Sequence, residues 1–305
     1  MRRTRIGVAA LMAVVGLAAP AEATFPGGNG KIAYYDSRQS PTQIHTIDPD
    51  GSGETQVTSG RRSSVAPGWS ADGAKIVFVR GKSPFVATAL VIMNADGSGR
   101  SVLLRDGVGR GRDALRSPTW SPDGSQIAFC AAGRRKPYKV YVINADGSGL
   151  EKASRGPNVD CFPSWSPDGN RLAMLTFVPH RWQLATMDPD GSNREVLVRR
   201  GDNDNPDWSP DGSQIAFTRI LGPNRSDVFV IDGDGSGLTQ LTDTPRRWEW
   251  TPAFSPNGAR IAFVKGQKPN FLALGDIFTM LTDGSDVVRV TDTKQDEYDL
   301  SWQAT

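Results

Sequence analysis

The sequence predicts an all-β protein, a six-bladed β-propeller of four-stranded antiparallel blades. Two observations predict this fold: a phrase of similar residues recurs seven times at nearly even spacing, and each interval divides into four short strands. The phrase begins at Phe25, Trp69, Trp120, Trp165, Trp208, Phe254 and Trp302, at intervals of 44, 51, 45, 43, 46 and 48 residues. Such a period is typical of units that bury their apolar faces only by stacking on one another.

The unit that begins at Trp120 shows the expected order of elements within one blade. The four predicted strands are residues 118–120, 126–129, 138–143 and 150–153. Between the first two lies Ser121-Pro122-Asp123-Gly124, in which proline fits the second turn position, aspartate bonds back to the backbone and glycine takes a positive φ. Four short strands repeated around a ring are typical of a propeller blade.

The ends of the chain predict how the ring closes. The last copy of the phrase, at residues 299–302, has no second strand after it, and the first copy, at Phe25, is degenerate. We therefore predict that the C-terminal segment supplies the innermost strand of the blade whose other strands come from residues 31–58. Closure of this kind removes the exposed edges that an open array would leave.

Residues 1–23 are predicted to be a secretory signal peptide, with the propeller at residues 24–305. Arg2, Arg3 and Arg5 precede an apolar run at residues 6–19, and Ala21-Glu22-Ala23 resembles a cleavage site. An uncleaved anchor is the alternative, although the run is shorter than the ~20 residues that a span needs. We expect an exported protein, secreted or located in the periplasm or cell envelope, with no transmembrane segment in the mature chain.

The two cysteines, Cys130 and Cys161, are predicted to lie near the same rim of adjacent blades. Cys130 ends the second strand of one unit and Cys161 begins the first strand of the next. In an oxidising compartment they could form a disulfide. Two free, buried thiols are the alternative, and a structural metal site would need more ligands than these.

The repeated phrases resemble the WD40-like repeats of the TolB propeller family. The resemblance is carried by Pro163-Ser164-Trp165-Ser166-Pro167-Asp168-Gly169 and by the matching phrase at residues 206–217. It implies the propeller fold, but these residues are turn and packing positions and imply little about activity. Similar repeats occur in propellers that cap serine peptidases of the prolyl oligopeptidase type. Those enzymes carry a Gly-x-Ser-x-Gly elbow on a separate domain, and this sequence has no such elbow.

The sequence offers no catalytic motif, and we predict no catalytic residues, cofactor or metal site. His45 occupies the position of Tyr141 and Phe229 in other third strands, which indicates a packing role, and His180 has no acidic residue close in sequence. The turn that begins at Asp48 resembles the opening of a calcium loop, but its twelfth position is Ser59 instead of the glutamate that such a loop requires.

Strand direction divides the loops between two faces of the ring. Turns between the first and second strands, and between the third and fourth, share one face and are rich in aspartate. The remaining loops share the opposite face, which is rich in arginine and lysine and bears several aromatic residues. We predict that a partner binds there through Arg246, Arg247, Trp248, Trp250, Arg134, Arg135, Tyr138, Arg181 and Trp182. The alternative is a solvated face with tryptophans packed between blades.

The predicted function is an exported, non-catalytic propeller scaffold that binds a protein or another cell-envelope component. A hydrolase or lactonase with a site in the central funnel is the second hypothesis, and a saccharide-binding module is the third. Without residues 1–23 the chain has equal numbers of basic and acidic residues. This balance, together with export, argues against nucleic acid as a partner.

Overall fold

The computed structural model describes residues 25–37, 40–105, 114–133, 136–266, 275–293 and 297–305. The predicted signal peptide lies outside these residues. Within them the chain forms strands, turns and loops with no helix. Accordingly, no helix in the described ranges is long and apolar enough to cross a membrane.

The strands form four-stranded antiparallel sheets, which we call blades, and this confirms the predicted all-β propeller. From the inside outwards, blade 1 contains β24 (Glu297–Ala304), β1 (Asn29–Asp36), β2 (Gln43–Ile47) and β3 (Thr55–Gln56). Blade 2 contains β4 (Ser63–Trp69), β5 (Lys75–Ser83), β6 (Val86–Asn94) and β7 (Ser101–Arg105). Blade 3 contains β8 (Ala114–Trp120), β9 (Gln126–Ala132), β10 (Lys139–Asn144) and β11 (Glu151–Lys152).

The remaining blades follow the same order. Blade 4 contains β12 (Val159–Trp165), β13 (Leu172–Val178), β14 (Arg181–Met187) and β15 (Glu195–Val198). Blade 5 contains β16 (Asp202–Trp208), β17 (Gln214–Gly222), β18 (Arg225–Asp232) and β19 (Thr239–Gln240). Blade 6 contains β20 (Trp248–Phe254), β21 (Arg260–Gly266), β22 (Gly275–Leu281) and β23 (Val288–Arg289). A single parallel bridge between Ser226 and Trp248 links blades 5 and 6.

The first strands of the blades form an inner ring. β4 contacts β8, β8 contacts β12, and the contacts continue through β16, β20 and β24 back to β4. Antiparallel pairing then places the hairpins between second and third strands, and the connections between blades, on one face. We call this the connection face. The turns between first and second strands and between third and fourth strands lie on the other face, which we call the turn face.

The C-terminal strand joins three blades. β24 pairs with β1, with Trp302 opposite Ile32, and therefore occupies the innermost position of blade 1. Ser301 Oγ accepts a hydrogen bond from the backbone N–H of Trp69 in blade 2 at 3.1 Å. On the other side, the buried Glu297 carboxylate accepts from the backbone N–H of Ile277 in blade 6 at 2.9 Å.

The repeated Ser-Pro-Asp-Gly turn holds itself together and also contacts the neighbouring blade. Asp123 Oδ1 accepts from Ser121 Oγ at 2.6 Å, and Gly124 has a φ of 70°. A Cβ added to Gly169 would lie 3.3 Å from Pro122 Cγ of the preceding blade. Two equivalent contacts recur, Pro167 with Gly212 and Pro210 with Gly258. The turn sequence therefore specifies blade-to-blade packing as well as chain reversal.

Every inner strand contains a bulge that the sequence analysis did not predict. The residue three positions before the recurrent Trp or Phe has a φ between 50° and 60° in all six inner strands: Ala66, Ser117, Phe162, Asn205, Thr251 and Asp299. The pairing register shifts at the same place, and the strand continues on the N-terminal side of the bulge. β8 therefore begins at Ala114 and not at Pro118. Such backbone strain often marks a functional site. Because this strain recurs in all six inner strands, we attribute it to the architecture of the ring and not to a functional site.

Cys130 on β9 and Cys161 on β12 connect blades 3 and 4. The structure pairs them as a disulfide with their Cα atoms 5.1 Å apart, a separation that disulfides commonly adopt. Both residues are buried within one apolar cluster. This arrangement supports the bridged alternative over two free thiols.

We expect thiol titration of the denatured, unreduced protein to detect no free thiol, because the two cysteines are bridged. Titration after reduction is the matched control and should detect two thiols per chain. Two reactive thiols before reduction would show that the cysteines are neighbours without a bond.

Candidate functional site

The central funnel is the space enclosed by the inner strands near the connection face. Three charged side chains lie on inner strands of three different blades: Arg116 on β8, Asp204 on β16 and Asp299 on β24. The charges of Asp204 and Arg116 both act on the carboxyl of Asp299. One arginine and two carboxyl groups from three different blades therefore interact inside the ring.

Arg116 is held in place by Tyr138, which lies just before β10 in the same blade. Arg116 Nε donates a hydrogen bond to the tyrosine hydroxyl at 2.9 Å. The guanidinium carbon also lies 5.4 Å from the centre of the tyrosine ring. A cation over an aromatic face is attracted to it, so Tyr138 positions the arginine by two contacts at once.

The two carboxyl groups of the funnel hold their protons more tightly than ordinary aspartates. Burial raises the pKa of Asp299 well above its usual value, and the nearby charge of Asp204 raises it further while Arg116 lowers it. Burial likewise raises the pKa of Asp204, although the backbone N–H of Asn205 donates to its Oδ1 at 3.0 Å. Both groups therefore release their protons at a higher pH than an exposed aspartate does.

Aromatic rings surround these charges. Tyr35 stacks on Tyr298 with ring centres 5.6 Å apart, and Trp250 lies 6.0 Å from the same Tyr298 ring. On the opposite side, Trp182 meets Phe162 edge-on at 5.9 Å.

A small cavity lies beside the inner strands of blades 2 and 3. A cavity of about 30 Å³ is lined by residues that include Tyr35, Phe85, Arg116 and Phe162. This volume has room for a water molecule or two, whereas pockets for small organic ligands are commonly about 300–1,000 Å³. This cavity alone is therefore too small for a ligand of that size.

Two larger grooves lie on the turn face. They have volumes of about 380 Å³ between blades 5 and 6 and about 340 Å³ between blades 2 and 3. Both are lined by the first turns of adjacent blades, including Pro210 and Asp211 in one and Pro122 and Asp123 in the other. Because the grooves occupy equivalent positions, we attribute them to the spacing of the repeats.

The predicted partner-binding residues differ in accessibility. Arg246, Arg247 and Arg181 are exposed on the connection face, whereas Trp248 is half-buried. Tyr138 and Trp182 are also half-buried: Tyr138 contacts Arg116, and the Trp182 ring lies between those of Phe162 and the exposed Phe177. Arg134 and Arg135 lie outside the described residues.

The prediction that Trp250 offers an exposed ring is wrong. Its side chain is 4% exposed and packs within the apolar cluster between blades 6 and 1. The residue lies immediately before the β-bulge of β20, and its ring packs on Tyr298 of the neighbouring inner strand. Trp250 therefore supports the packing between blades and is not available as an anchor for a partner.

The histidines have different environments. His45 is buried on β2, with its ring 5.6 Å from that of Tyr34, which confirms the predicted packing role. Burial lowers its pKa despite the neighbouring Glu54 carboxylate, which lies 3.4 Å from Nδ1. His180 lies in the tight turn between β13 and β14 with a φ of 71°.

The aspartates of the third-to-fourth turns stabilise those turns. In the turn that resembles a calcium loop, Asp50 Oδ1 accepts from the backbone N–H of Ser52 at 2.9 Å and from its hydroxyl at 2.7 Å. Asp48 accepts from Lys31 Nζ at 2.7 Å. In the described ranges, no group of three or more His, Cys, Asp or Glu side chains could hold a metal ion.

The sequence analysis did not identify the charged funnel. Two of its three members occupy the position four residues before the recurrent Trp or Phe, where the six inner strands carry Val65, Arg116, Cys161, Asp204, Trp250 and Tyr298. A comparison of this position between the repeats would have shown that two of the six residues are charged and the other four are not. It would not have shown that Asp299, one residue further on, lies close enough to interact with both.

The antiparallel blades, the inner ring and the repeated turns define a β-propeller protein. A family model described as the TolB beta propeller domain, PD40, matches residues 131–304, which is more than half of the chain. The chain belongs to this family.

Two curated relatives and one solved structure illustrate the similarity. The chain is 32% identical over 279 residues to dipeptidyl-peptidase 5 of Porphyromonas endodontalis, covering 80% of this chain and 36% of the relative. It is 32% identical over 133 residues to the Tol-Pal system protein TolB of Anaeromyxobacter dehalogenans, covering 43% and 28%. The chain thus spans about a third of the length of these relatives. The crystal structure of TolB from Acinetobacter baumannii superposes with a TM-score of 0.73 at 21% identity, covering 90% of this chain and 67% of that one.

The raised pKa of Asp299 predicts a pH-dependent effect of Asp299→Asn on stability. A carboxyl group whose pKa is raised by folding contributes stability below its unfolded pKa, and this contribution is lost as the pH rises through the native pKa. We therefore expect the asparagine variant to be more stable than the natural protein, by an amount that grows as the pH rises from about 4. Chemical denaturation at several pH values measures the difference, and asparagine tolerates the left-handed backbone at this position.

Asp211→Asn is the matched control, and we expect this variant to be less stable than the natural protein at neutral pH. The Ser209 hydroxyl, which donates to Asp211 Oδ1 at 2.6 Å, lowers the pKa of this turn carboxyl. Its stabilising contribution is present at neutral pH and lost as the pH falls through the lowered native pKa. If the stability gained by Asp299→Asn stays constant or shrinks as the pH rises, the assignment of Asp299 as a buried carboxyl with a raised pKa is contradicted.

Proposed function

We propose that the protein is an exported, non-catalytic propeller scaffold that binds a protein or another cell-envelope component through its connection face. Export rests on the signal peptide predicted at residues 1–23. A binding role is consistent with membership of the TolB propeller family and with the similarity to a Tol-Pal system protein. The choice of face rests on the side chains exposed there.

The observation that carries the choice of face is a set of apolar residues at the hairpins between second and third strands. Phe85 is 61% exposed in blade 2, Phe177 is 38% exposed in blade 4, and Leu221 is 44% exposed in blade 5. All three hairpins point to the connection face, where Arg246 and Arg247 are also exposed. Exposed apolar side chains beside arginines are typical of protein-binding surfaces.

The turn face is less suited to this role. It also exposes apolar residues, such as Leu238 at 46%, but these lie by the short fourth strands at the outer edge of the ring. Many carboxylates of the turn face already accept hydrogen bonds within their own turns, as Asp146 does from Ser148. Leu238 therefore provides a matched control position with similar exposure on the opposite face.

Site-specific photo-cross-linking tests the choice of face. A photoreactive phenylalanine analogue at position 177 or 221 should form adducts with a protein partner in cells, whereas the same analogue at position 238 should not. Adducts from position 238 alone would place the partner on the turn face. The absence of adducts from all three positions would contradict a protein-binding scaffold.

The same adducts can test the electrostatic part of the proposal. Arg246→Gln combined with Arg247→Gln should reduce adduct yield several-fold at low salt and have less effect at high salt, because salt screens exposed charges. Arg155→Gln combined with Arg199→Gln, at two other exposed arginines of blade connections, is the control for the loss of two charges. Equal losses from both changes would show that net charge, and not the position beside Trp248, attracts the partner.

A second candidate function is participation in peptide hydrolysis, favoured by the 32% identity to dipeptidyl-peptidase 5 over 80% of this chain. The funnel residues Arg116, Asp204 and Asp299 would then contact the peptide. Release of an arylamine from dipeptidyl arylamides by the full chain would favour this candidate over the non-catalytic scaffold. Dependence of that release on Asp299 would distinguish it from a contaminating peptidase.

A further inference from the structure

Each blade places the same two positions side by side near the connection face. The residue five positions before the recurrent Trp or Phe lies opposite a residue of the adjacent second strand, or of β1 in blade 1. The six pairs are Ser64 with Arg80, Leu115 with Ala131, Asp160 with Thr176, Asn203 with Arg219, Glu249 with Lys265, and Glu297 with Asp36. Opposite residues of an antiparallel pair lie on the same side of the sheet, so the pairs can be compared directly.

In blades 5 and 6 the basic member of the pair has partners. Lys265 Nζ lies 3.0 Å from Glu249 Oε1, which is fully buried. Arg219 Nε donates to Asn203 Oδ1 at 3.0 Å, and its guanidinium carbon lies 4.8 Å from the ring centre of Phe229. The cation at this position is thus neutralised by an acid in one blade and held by an amide and a ring in the other.

Blade 2 has a cation at this position without such partners. Arg80 is half-buried and lies opposite Ser64, which carries no charge. Across the next two strands, Arg80 lies opposite Ala89, and Ala89 lies opposite Arg105, so both arginines project from the same side of the sheet. Arg62 is two residues before Ser64. Within the described part of the chain, the guanidinium groups of these three arginines make no ion pair or hydrogen bond.

This side of blade 2 faces blade 1. The backbone N–H of Ser64 donates to the carbonyl oxygen of Thr42 at 2.9 Å, and Arg100 of blade 2 reaches the carbonyl oxygen of Val57 at 3.1 Å. The pKa of Arg80 is lowered by burial and then by the positive charges of Arg62, Arg100 and Arg105. No acid among the described residues offsets these charges.

We propose that Arg62, Arg80 and Arg105 form a binding site for a phosphate group at the boundary between blades 1 and 2. A phosphate monoester carries a charge of about −1.5 to −2 near neutral pH, and its oxygens accept paired hydrogen bonds from guanidinium groups. A single carboxylate would leave most of the positive charge uncompensated. The three arginines are not among the proposed partner-binding residues, although Phe85 of the same blade is, and a phosphate site goes beyond the proposed function.

The phosphate could belong to a soluble anion or to a lipid headgroup. The hairpin of the same blade exposes Phe85 and Val86 at its tip, beside the exposed Lys82. A phospholipid surface would contact these apolar side chains together with the arginines, because interfacial binding adds apolar burial to charge attraction. A soluble phosphate would contact the arginines alone.

Titration calorimetry of the full chain with inorganic phosphate and pyrophosphate tests the site. Arg80→Gln should weaken binding by about tenfold or more, since each lost contact is charge-assisted. Arg199→Gln, an exposed arginine elsewhere on the connection face, is the matched control and should bind as the natural protein does. Arg105→Gln removes an exposed member of the site and should weaken binding even if Arg80→Gln destabilises the fold.

Flotation with vesicles that contain phosphatidic acid, whose headgroup is a phosphate monoester, distinguishes the two sources. Flotation that is lost in both Arg80→Gln and Phe85→Ser indicates a lipid headgroup. Phosphate binding without flotation, unchanged by Phe85→Ser, indicates a soluble phosphate. The proposal is overturned if neither phosphate nor pyrophosphate binds, or if Arg80→Gln and Arg105→Gln bind them as tightly as Arg199→Gln does.

Discussion

The pairing of the C-terminal strand β24 with β1 is the contact on which the rest of the structure depends. Blade 1 obtains its innermost strand from the far end of the chain, and through that strand it contacts both blade 2 and blade 6. Blades of a propeller bury their faces only against neighbours, so loss of this strand would expose two faces and one edge together. The small contacts between adjacent turns, such as Pro122 against Gly169, add to the same circular packing.

The position of the funnel charges follows from this closure. Asp299 belongs to the closing strand, whereas Arg116 and Asp204 come from blades 3 and 5, and only a closed ring brings the three together. Their mutual effects on pKa arise because the inner strands exclude much of the solvent. In contrast, the exposed hairpins of the connection face vary from blade to blade without altering the packing. The fold thus separates a constant core from a surface that can diverge.

The repeat made most of the fold predictable from sequence. The recurrent Trp or Phe, the turn of Ser-Pro-Asp-Gly type and the third-strand apolar residues each have a local physical cause that recurs in most units. The inner-strand bulges were not predictable, because no residue type marks them: Ala66, Phe162 and Thr251 share the same left-handed backbone. The exposure of Trp250 was misjudged because its neighbour Tyr298 is far away in sequence and becomes adjacent only through closure. Charge counts located a basic face but could not show which arginines lack partners.

Native-state hydrogen exchange measured strand by strand tests the central claim most directly. If closure by β24 holds the ring together, amides of β24 and β1 should exchange with the same free energy of opening as those of β4 and β5, through one cooperative unfolding. Rapid exchange of β24 and β1, while β4, β5 and the other inner strands stay protected, would contradict the account. That result would show that the ring persists without its closing strand.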